Sequence, residues 1–131
     1  MKDGYHEVNL PDGARFEGEV KNGMPNGRGI FTLPDGGVLK GEFKDALLHG
    51  LGVNVYPEGN PSGVQRQEGE FIDGNLQTGI QWTFGDPFYF ENGTYISSAQ
   101  TTGSDEKDRL EKRELAKEKA MLATKTYADQ E

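Results

Sequence analysis

The sequence contains no cysteine and few apolar residues. Without cysteine the chain has no disulfide, no thiolate metal site and no thiol nucleophile, which agrees with a reducing compartment. Hydrophobic residues make up 33% of the 131 positions, below the share in a typical globular domain. No apolar run is long enough to span a bilayer, and the N-terminus lacks the basic-then-apolar pattern of a secretion signal. We therefore expect a protein of the cytoplasm without a transmembrane helix.

Basic charge is also scarce. The formal net charge is −8, and residues 1–103 carry twice as many Asp and Glu as Lys and Arg. Such a surface is repelled by DNA, RNA and anionic lipid. The composition therefore predicts no nucleic-acid partner, argues against membrane binding and favours partner proteins with basic surfaces.

Glycine, by contrast, is abundant and regularly placed. All 19 glycines lie in residues 4–103, and residues 16–36 and 39–59 repeat one pattern at an offset of 23 positions. The matching positions are Gly18 and Gly41, Gly27 and Gly50, Gly29 and Gly52, and Pro34 and Pro57. A repeat of this length is typical of a stacked array in which each unit packs on its neighbours.

Each copy of the pattern predicts one β-hairpin. Period-2 alternation places Phe16, Gly18 and Val20 on one face of a strand. Asn22 and Gly23 tolerate positive φ, so the chain can reverse there. Ordering a hairpin of about 20 residues costs more free energy than the burial of its few apolar side chains supplies, so the units must stack. The sequence therefore predicts a mainly β fold, in which stacked antiparallel β-hairpins form a single twisted sheet.

The repeat unit carries a family resemblance. It resembles the repeat of the MORN family (membrane occupation and recognition nexus) in three segments, which are Phe16-Glu-Gly-Glu-Val20, Leu33-Pro-Asp-Gly36 and His49-Gly-Leu-Gly52. The resemblance extends over residues 4–85. It implies a fold of stacked hairpins and the setting of eukaryotic cytoskeletal and ciliary assemblies, where MORN-like proteins are widespread.

The array begins half-way through a unit, because Leu10-Pro-Asp-Gly13 matches Leu33-Pro-Asp-Gly36. Terminal repeats are often atypical, so one interpretation is that the first strand has degenerated. The other is that a partner or a second copy of the chain supplies that strand by strand addition, which leaves dimerisation open.

The third unit, residues 67–84, follows a short insertion after Gly59 and loses the Gly-x-Gly step. We expect Trp82 and Phe84 to occupy the positions of Phe31 and Leu33, so that the apolar face continues. Residues 88–96 then form an aromatic hairpin around an Asn92-Gly93 type I′ turn, which we expect to cap the array. The domain organisation is thus a hairpin array over residues 1–96.

A linker, residues 97–103, joins the array to a charged helix over residues 104–131. Ser104 is a suitable N-cap, and no glycine or proline follows it. Leu110, Leu115 and Met121 do not form one clean stripe at 100° per residue. We therefore expect the helix to have little to bury on its own hairpins. It is either a solvated tail or a helix that orders along a partner.

The sequence offers little for catalysis. The two histidines are His6 and His49, and His49 stands at the repeat position of Asn26, so it belongs to the repeat pattern. The acids Glu17 and Glu19, and likewise Glu68 and Glu70, have outward parity on strands, where we expect solvated carboxylates. The Gly-x-Gly steps lack the lysine and helix of a phosphate cradle. We therefore expect no enzyme activity, no cofactor and no metal.

The function that these patterns favour is structural. We expect a non-enzymatic scaffold that docks a partner helix or filament on its apolar face, within a cytoskeletal assembly such as a ciliary or flagellar axonemal complex. The residues expected to bind the partner are Phe16, Val20, Phe31, Leu33, Phe43, Tyr56, Phe71, Trp82, Phe84, Leu110, Leu115 and Met121. The alternatives are a peripheral adaptor for phosphoinositide membranes and a targeting subunit for a partner enzyme.

Overall fold

The computed structural model describes residues 2–96 and 104–127, with the side chains of the helix from residue 107. The predicted linker and residues 128–131 lie outside the described residues. The elements are β1 (Gly4–Asn9), β2 (Arg15–Lys21), β3 (Met24–Thr32), β4 (Val38–Lys44), β5 (Leu47–Val55), β6 (Val64–Ile72), β7 (Asn75–Thr83), β8 (Asp86–Glu91), β9 (Thr94–Tyr95) and α1 (Ser104–Tyr127). The predicted mainly β array with a C-terminal helix is confirmed.

The nine strands form one open antiparallel sheet whose spatial order is the chain order. The tight turns explain this order, because they reverse the chain within two residues. Asn22 and Gly23 have φ of 53° and 77°, and Asn92 and Gly93 have φ of 50° and 78°. Two consecutive positive φ angles are the pattern of a type I′ turn, whose twist matches that of paired strands. The predicted turn at Asn92 is confirmed.

A row of glycines crosses the sheet from β2 to β7. Each member faces the next across a strand pair, in the order Gly18, Gly29, Gly41, Gly52, Gly69 and Gly79. The row leaves room for side chains to lie flat on the backbone. A Cβ at Gly29, for example, would stand 2.5 Å from Cζ of Phe16. The repeated glycine therefore marks close packing against the sheet.

The core lies on the face of the sheet that we call the aromatic face. Its buried members are Phe16, Val20, Phe43, Leu48, Phe71 and Leu76. The rings of Phe16 and Phe43 meet edge to face, with centroids 5.5 Å apart at 85°. These side chains come from β2, β4, β5, β6 and β7, which belong to three successive hairpins. No single hairpin could therefore complete the core, as the sequence predicted.

The third unit differs from the sequence-based expectation at Trp82. In the structure Gly79 faces Gly69, so Gln81 and not Trp82 stands where Phe31 stands in the first unit. A shift of one residue moves a side chain to the opposite face of a strand. Trp82 accordingly lies opposite Arg66 on the other face of the sheet, and its predicted place on the aromatic face is wrong. The same shift puts Thr83 and not Phe84 at the position of Leu33, so the prediction for Phe84 is wrong as well.

Helix α1 covers that other face, which we call the helix face. It lies across β5, β6, β7 and β8. Its buried residues are Ala116, Ala120, Ala123 and Tyr127, a spacing of four, three and four that makes one stripe on a helix. The expectation that the helix has little to bury on its own hairpins is therefore wrong, because small side chains and one tyrosine form the packing stripe instead of leucines.

Successive hairpins are tied together at their turns. The backbone N–H of Asp45 donates to Oδ1 of Asn26 at 3.3 Å, and that of Asp73 donates to Nδ1 of His49 at 3.4 Å. The N–H of Asn92 donates to Oγ1 of Thr78 in the same way. His49 and Asn26 thus each accept a hydrogen bond from the turn of the following hairpin. The two residues are equivalent in the structure, as the repeat predicted.

Replacing His49 tests this tie. We expect His49→Ala to lower the free energy of unfolding by about 1 kcal/mol, because one turn N–H loses its acceptor. His49→Asn, which copies the preceding unit, should stay within about 0.5 kcal/mol of the original protein. Urea denaturation of the full chain measures both. Equal losses in the two variants would contradict a hydrogen-bonding role for this side chain.

Candidate functional site

The aromatic face carries an open groove of about 320 Å³ beside its core. Strand β5 supplies the largest share of its lining, β4 supplies Leu39, and Tyr56 and Pro57 after β5 supply one end. Its main lining side chains are Leu33, Leu39, Leu47, Leu48, Asn54, Tyr56 and Pro57. The lining is chiefly aliphatic, so the groove can accept apolar side chains from another molecule.

A ladder of side-chain amides borders this groove. Nδ2 of Asn54 donates to Oε1 of Gln67 at 3.3 Å, and Nε2 of Gln67 donates to Oε1 of Gln81 at 2.8 Å. Gln81 in turn donates to Oγ1 of Thr83. The strand register places the three amides side by side, and they continue the row formed by Phe16, Phe31 and Leu39. Asn54 stands at the repeat position of Phe31, and its amide partner is Gln67 across the β5–β6 pair.

Four of the residues expected to bind a partner are buried inside the chain. Phe16, Val20, Phe43 and Phe71 belong to the core, and Phe71 has no exposed surface. They stabilise the array and do not face solvent. Leu33 and Tyr56 are half-buried and line the groove, while Phe31 is half-buried against the core. Contact between these three and a partner stays a prediction.

Phe84 is the most exposed large apolar residue of the described part of the chain. Its side chain is 78% exposed, and its φ is 50°. A bulky residue with positive φ is an outlier that costs backbone energy. Its ring lies over Gly63 in the inserted loop, and its N–H donates to the Gly63 carbonyl at 2.9 Å. Together with Tyr56, which also lines the groove, it borders a neighbouring cleft of about 470 Å³.

The helix face is organised around the carboxylate of Glu68. Glu68 is only 6% exposed. It accepts hydrogen bonds from Nε1 of Trp82 at 2.7 Å, Nε of Arg66 at 3.0 Å and Oγ1 of Thr124 at 2.9 Å. The expectation of a solvated carboxylate is wrong here, because Trp82 and α1 together cover it. Glu68 therefore joins the helix to the sheet.

Two further sets of contacts hold α1 in place. Nζ of Lys119 lies 3.5 Å from the carboxylate of Glu70. The charged groups of Arg113 and Lys117 both lie over the ring of Tyr89, at 5.3 and 5.8 Å. These contacts fix which side of the helix faces the sheet.

The end of α1 is anchored by a buried tyrosine. Tyr127 packs against Val53 and Ala123. Burial raises the pKa of the Tyr127 hydroxyl, and the nearby carboxylate of Glu42 raises it further. The hydroxyl is therefore neutral at physiological pH and anchors the helix as a mainly apolar side chain.

Neither region assembles reactive groups. Among the side chains of residues 2–96 and 107–127, no three His, Asp or Glu are close enough together to hold a metal ion. In the same part of the chain, α1 is too polar to cross a membrane. What the geometry provides is a groove with an amide border on one face and a firmly held helix on the other.

Comparison with known proteins agrees with this architecture. Residues 16–38 and 40–60 match the family model of the MORN repeat. The two matches correspond to the hairpins β2–β3 and β4–β5, so the resemblance seen in the sequence is confirmed. None of the curated proteins compared with the chain is significantly similar to it. MORN repeats are generally modules of protein interaction or membrane association.

Proposed function

We propose that this MORN-repeat protein is a non-enzymatic scaffold that docks a helix of a partner protein in the groove of its aromatic face. The observation that carries the proposal is that the core is complete while the groove stays open. Phe16, Phe43 and Phe71 are sealed within the chain. Leu47 remains 47% exposed at the edge of the groove, beside the half-buried Leu39 and Tyr56.

The chemistry of the groove suits an amphipathic helix. Such a helix lays apolar side chains, three and four residues apart, into an apolar channel. Here Leu33, Leu39 and Leu47 offer the apolar channel, and Asn54 offers polar contacts at its border. Because the chain has a net charge of −8, basic residues on the flanks of the partner helix would be attracted to it.

The wider setting that we propose is a cytoskeletal assembly, specifically a ciliary or flagellar axonemal complex. The support for this setting is the MORN-repeat match. A sheet reinforced by a packed helix presents its groove in a fixed orientation, which suits a subunit of a larger structure. On this proposal the protein resides in the cytoplasm, attached to cytoskeletal filaments.

Proximity labelling in ciliated cells tests the proposal with one matched pair of variants. Leu47→Asp places a charge in the groove and should reduce recovery of cytoskeletal neighbours about tenfold, the effect of losing one interface anchor. Met24→Asp makes the same change at an exposed residue outside the groove lining, and should leave recovery unchanged. Circular dichroism should show that both variants stay folded.

Two results would overturn the proposal. One is that the unsubstituted protein labels no cytoskeletal neighbour. The other is that Leu47→Asp and Met24→Asp reduce labelling equally. The competing function is peripheral membrane binding. Each basic residue near anionic lipid contributes about 1 kcal/mol of attraction. This chain has more acidic than basic residues, which opposes such binding. Flotation of the full chain with phosphoinositide vesicles at physiological salt would favour the membrane.

A further inference from the structure

The outer edge of strand β1 is open. Strand β1 pairs with β2 on one side, and no other described strand lies on its opposite side. The N–H of Leu10 donates to the carbonyl of Ala14 at 2.8 Å. Because alternate residues of an antiparallel strand bond to the same neighbour, Tyr5, Glu7 and Asn9 point their backbone N–H and C=O groups away from β2. This edge of six residues has no bulge and no proline, so it can accept a further strand.

The other edge of the sheet offers much less. Strand β9 consists of Thr94 and Tyr95 alone, and the depression beside it is shared with Arg109 and Lys112 of α1. A strand of two residues provides too few hydrogen bonds to hold a partner. Joining of β1 to β9 of another copy, head to tail, is therefore disfavoured.

The glycine row ends at β1 with a histidine. Gly18 faces Gly29 on one side and His6 on the other. The glycine of β3 leaves room for a ring, since a Cβ at Gly29 would stand 2.5 Å from Cζ of Phe16. His6 fills the corresponding place with its own side chain. A strand that carries an aromatic residue at the position of Phe16 would collide with it, so a further repeat of the usual pattern does not fit beside β1.

We propose that β1 pairs with β1 of a second copy of the chain, antiparallel and centred on His6. Tyr5 of each copy then faces Glu7 of the other, which brings outward backbone groups together as the hydrogen bonds require. On the aromatic face Gly4 faces Val8, so no aromatic residue competes with His6 for space. On the helix face the Tyr5 hydroxyl and the Glu7 carboxylate form a cross-strand pair.

Charge and backbone chemistry select this register. Moving the centre one residue later sets the two Glu7 carboxylates against each other, and moving it one residue earlier sets Asp3 against Glu7. Arg15 does not remove this repulsion, because it is already shared between Glu7 and a glutamate of its own strand. Centres nearer the end of β1 bring Pro11 into the ladder, and proline has no N–H to donate. In the pairing centred on His6 no two carboxylates are opposed.

The dimer would carry both grooves on one side. Two antiparallel strands are related by a two-fold axis perpendicular to their sheet, so the two aromatic faces point the same way and the two α1 helices lie on the opposite side. A partner with two docking helices would then bind with increased effective concentration. The dimer goes beyond the proposed docking function and does not depend on it, because β1 contributes nothing to the groove lining.

Sedimentation equilibrium of the full chain measures this association. Six paired residues a side make a small interface, so we expect a reversible dimer with a Kd of about 10 μM, whose mass rises from 14.4 kDa towards twice that value. Glu7→Pro removes one outward N–H from each copy and spares the bonds to β2, so it should raise the Kd about thirtyfold or more. Glu7→Ala keeps that N–H and should stay within about fivefold. Circular dichroism should show both variants folded, because Glu7 is exposed.

Single cysteines report the register, because the chain has none of its own. In the proposed dimer the two residues at position 6 face each other with Cα atoms about 4.5 Å apart. His6→Cys should therefore form a disulfide-linked dimer under mild oxidation. Glu7→Cys is the matched control, since its two copies lie diagonally, with Cα atoms about 7–8 Å apart and beyond the reach of a disulfide.

The proposal is overturned if the full chain stays monomeric at about 200 μM, twentyfold above the expected Kd, or if His6→Cys and Glu7→Cys cross-link equally. Equal weakening by Glu7→Pro and Glu7→Ala would also contradict backbone pairing. Leu47→Asp alters the groove and should leave the dimer unchanged, so loss of the dimer in this variant would assign the association to the groove. Native mass spectrometry of the protein isolated from cells tests the other occupant. A one-to-one complex with a different chain that Glu7→Pro abolishes would give the β1 edge to a partner strand instead.

Discussion

Replacing Gly69 with alanine is expected to lower the free energy of unfolding by about 3 kcal/mol or more. The added Cβ would collide with the carbonyl oxygen of Thr78 and stand 2.7 Å from Cα of Gly79. Both are backbone atoms of the neighbouring strand, so they cannot move aside without breaking the β6–β7 pairing. The φ of Gly69, 146°, adds conformational strain for any residue with a side chain. Urea or thermal denaturation of the full chain measures the loss.

Gly59→Ala is the matched control for this substitution. Gly59 also has a positive φ, 79°, but nothing lies within 4 Å of an added Cβ. Its cost is therefore the conformational term alone, about 1–2 kcal/mol. If the two variants lost equal stability, the glycine row would not be explained by close packing of the strands.

Removing the carboxylate of Glu68 is expected to have the second large effect. Glu68→Ala leaves the indole N–H of Trp82 and the guanidinium of Arg66 without their shared acceptor. It also removes the link from Thr124 to the sheet and leaves that hydroxyl only the carbonyl of Ala120 on its own helix. Because Glu68 is buried while Arg66 is 46% exposed, the loss should be about 2 kcal/mol. Because one of the three donors belongs to α1, the helix should detach from the sheet before the sheet unfolds.

Hydrogen exchange measured on the full chain distinguishes detachment from general loss of stability. In Glu68→Ala the amides of α1 should exchange much faster, while those of β2, β3 and β4 change little. Glu70→Ala is the control, since Glu70 is more exposed and its one ion pair with Lys119 spans 3.5 Å, which should cost less than about 1 kcal/mol. Uniform acceleration across the chain would contradict a role for Glu68 in anchoring the helix.

The sheet could be predicted from the sequence because its determinants are local. The offset of 23 residues between Gly18 and Gly41 defines the hairpin length, and Asn92-Gly93 defines a turn. Both depend on the conformational freedom of glycine at positions where a strand reverses or where a neighbour packs close. Such features do not depend on the rest of the chain.

The helix face could not be predicted because its determinants are distant in sequence. Glu68 and Thr124 meet only after the sheet and α1 have both formed. The packing stripe of α1 consists mainly of alanines, which stand out less than leucines in a search for apolar periodicity. The spacing of Ala116, Ala120, Ala123 and Tyr127 was nevertheless visible in the sequence.

The register of the third unit was predicted wrongly for a related reason. Trp82 takes the position of Phe31 only if the third hairpin keeps the length of the first, and an offset of one residue on a strand exchanges the two faces. The pairing of Gly69 with Gly79 settles the register, but it arises from contact between strands. Among the predicted partner residues, the four that proved to be core could be recognised only from three-dimensional burial.

The placement of α1 makes the two halves of the sheet mechanically unequal. A ladder of hairpins tied only turn to turn opens from an end, one hairpin at a time, because each unit depends on its neighbours alone. The helix packs across β5, β6, β7 and β8, so separating any of these four strands also breaks contacts with α1. Strands β1, β2 and β3 lack comparable support from α1. Unfolding under force or by local melting should therefore begin at β1 and stop at β5, the first strand that α1 covers.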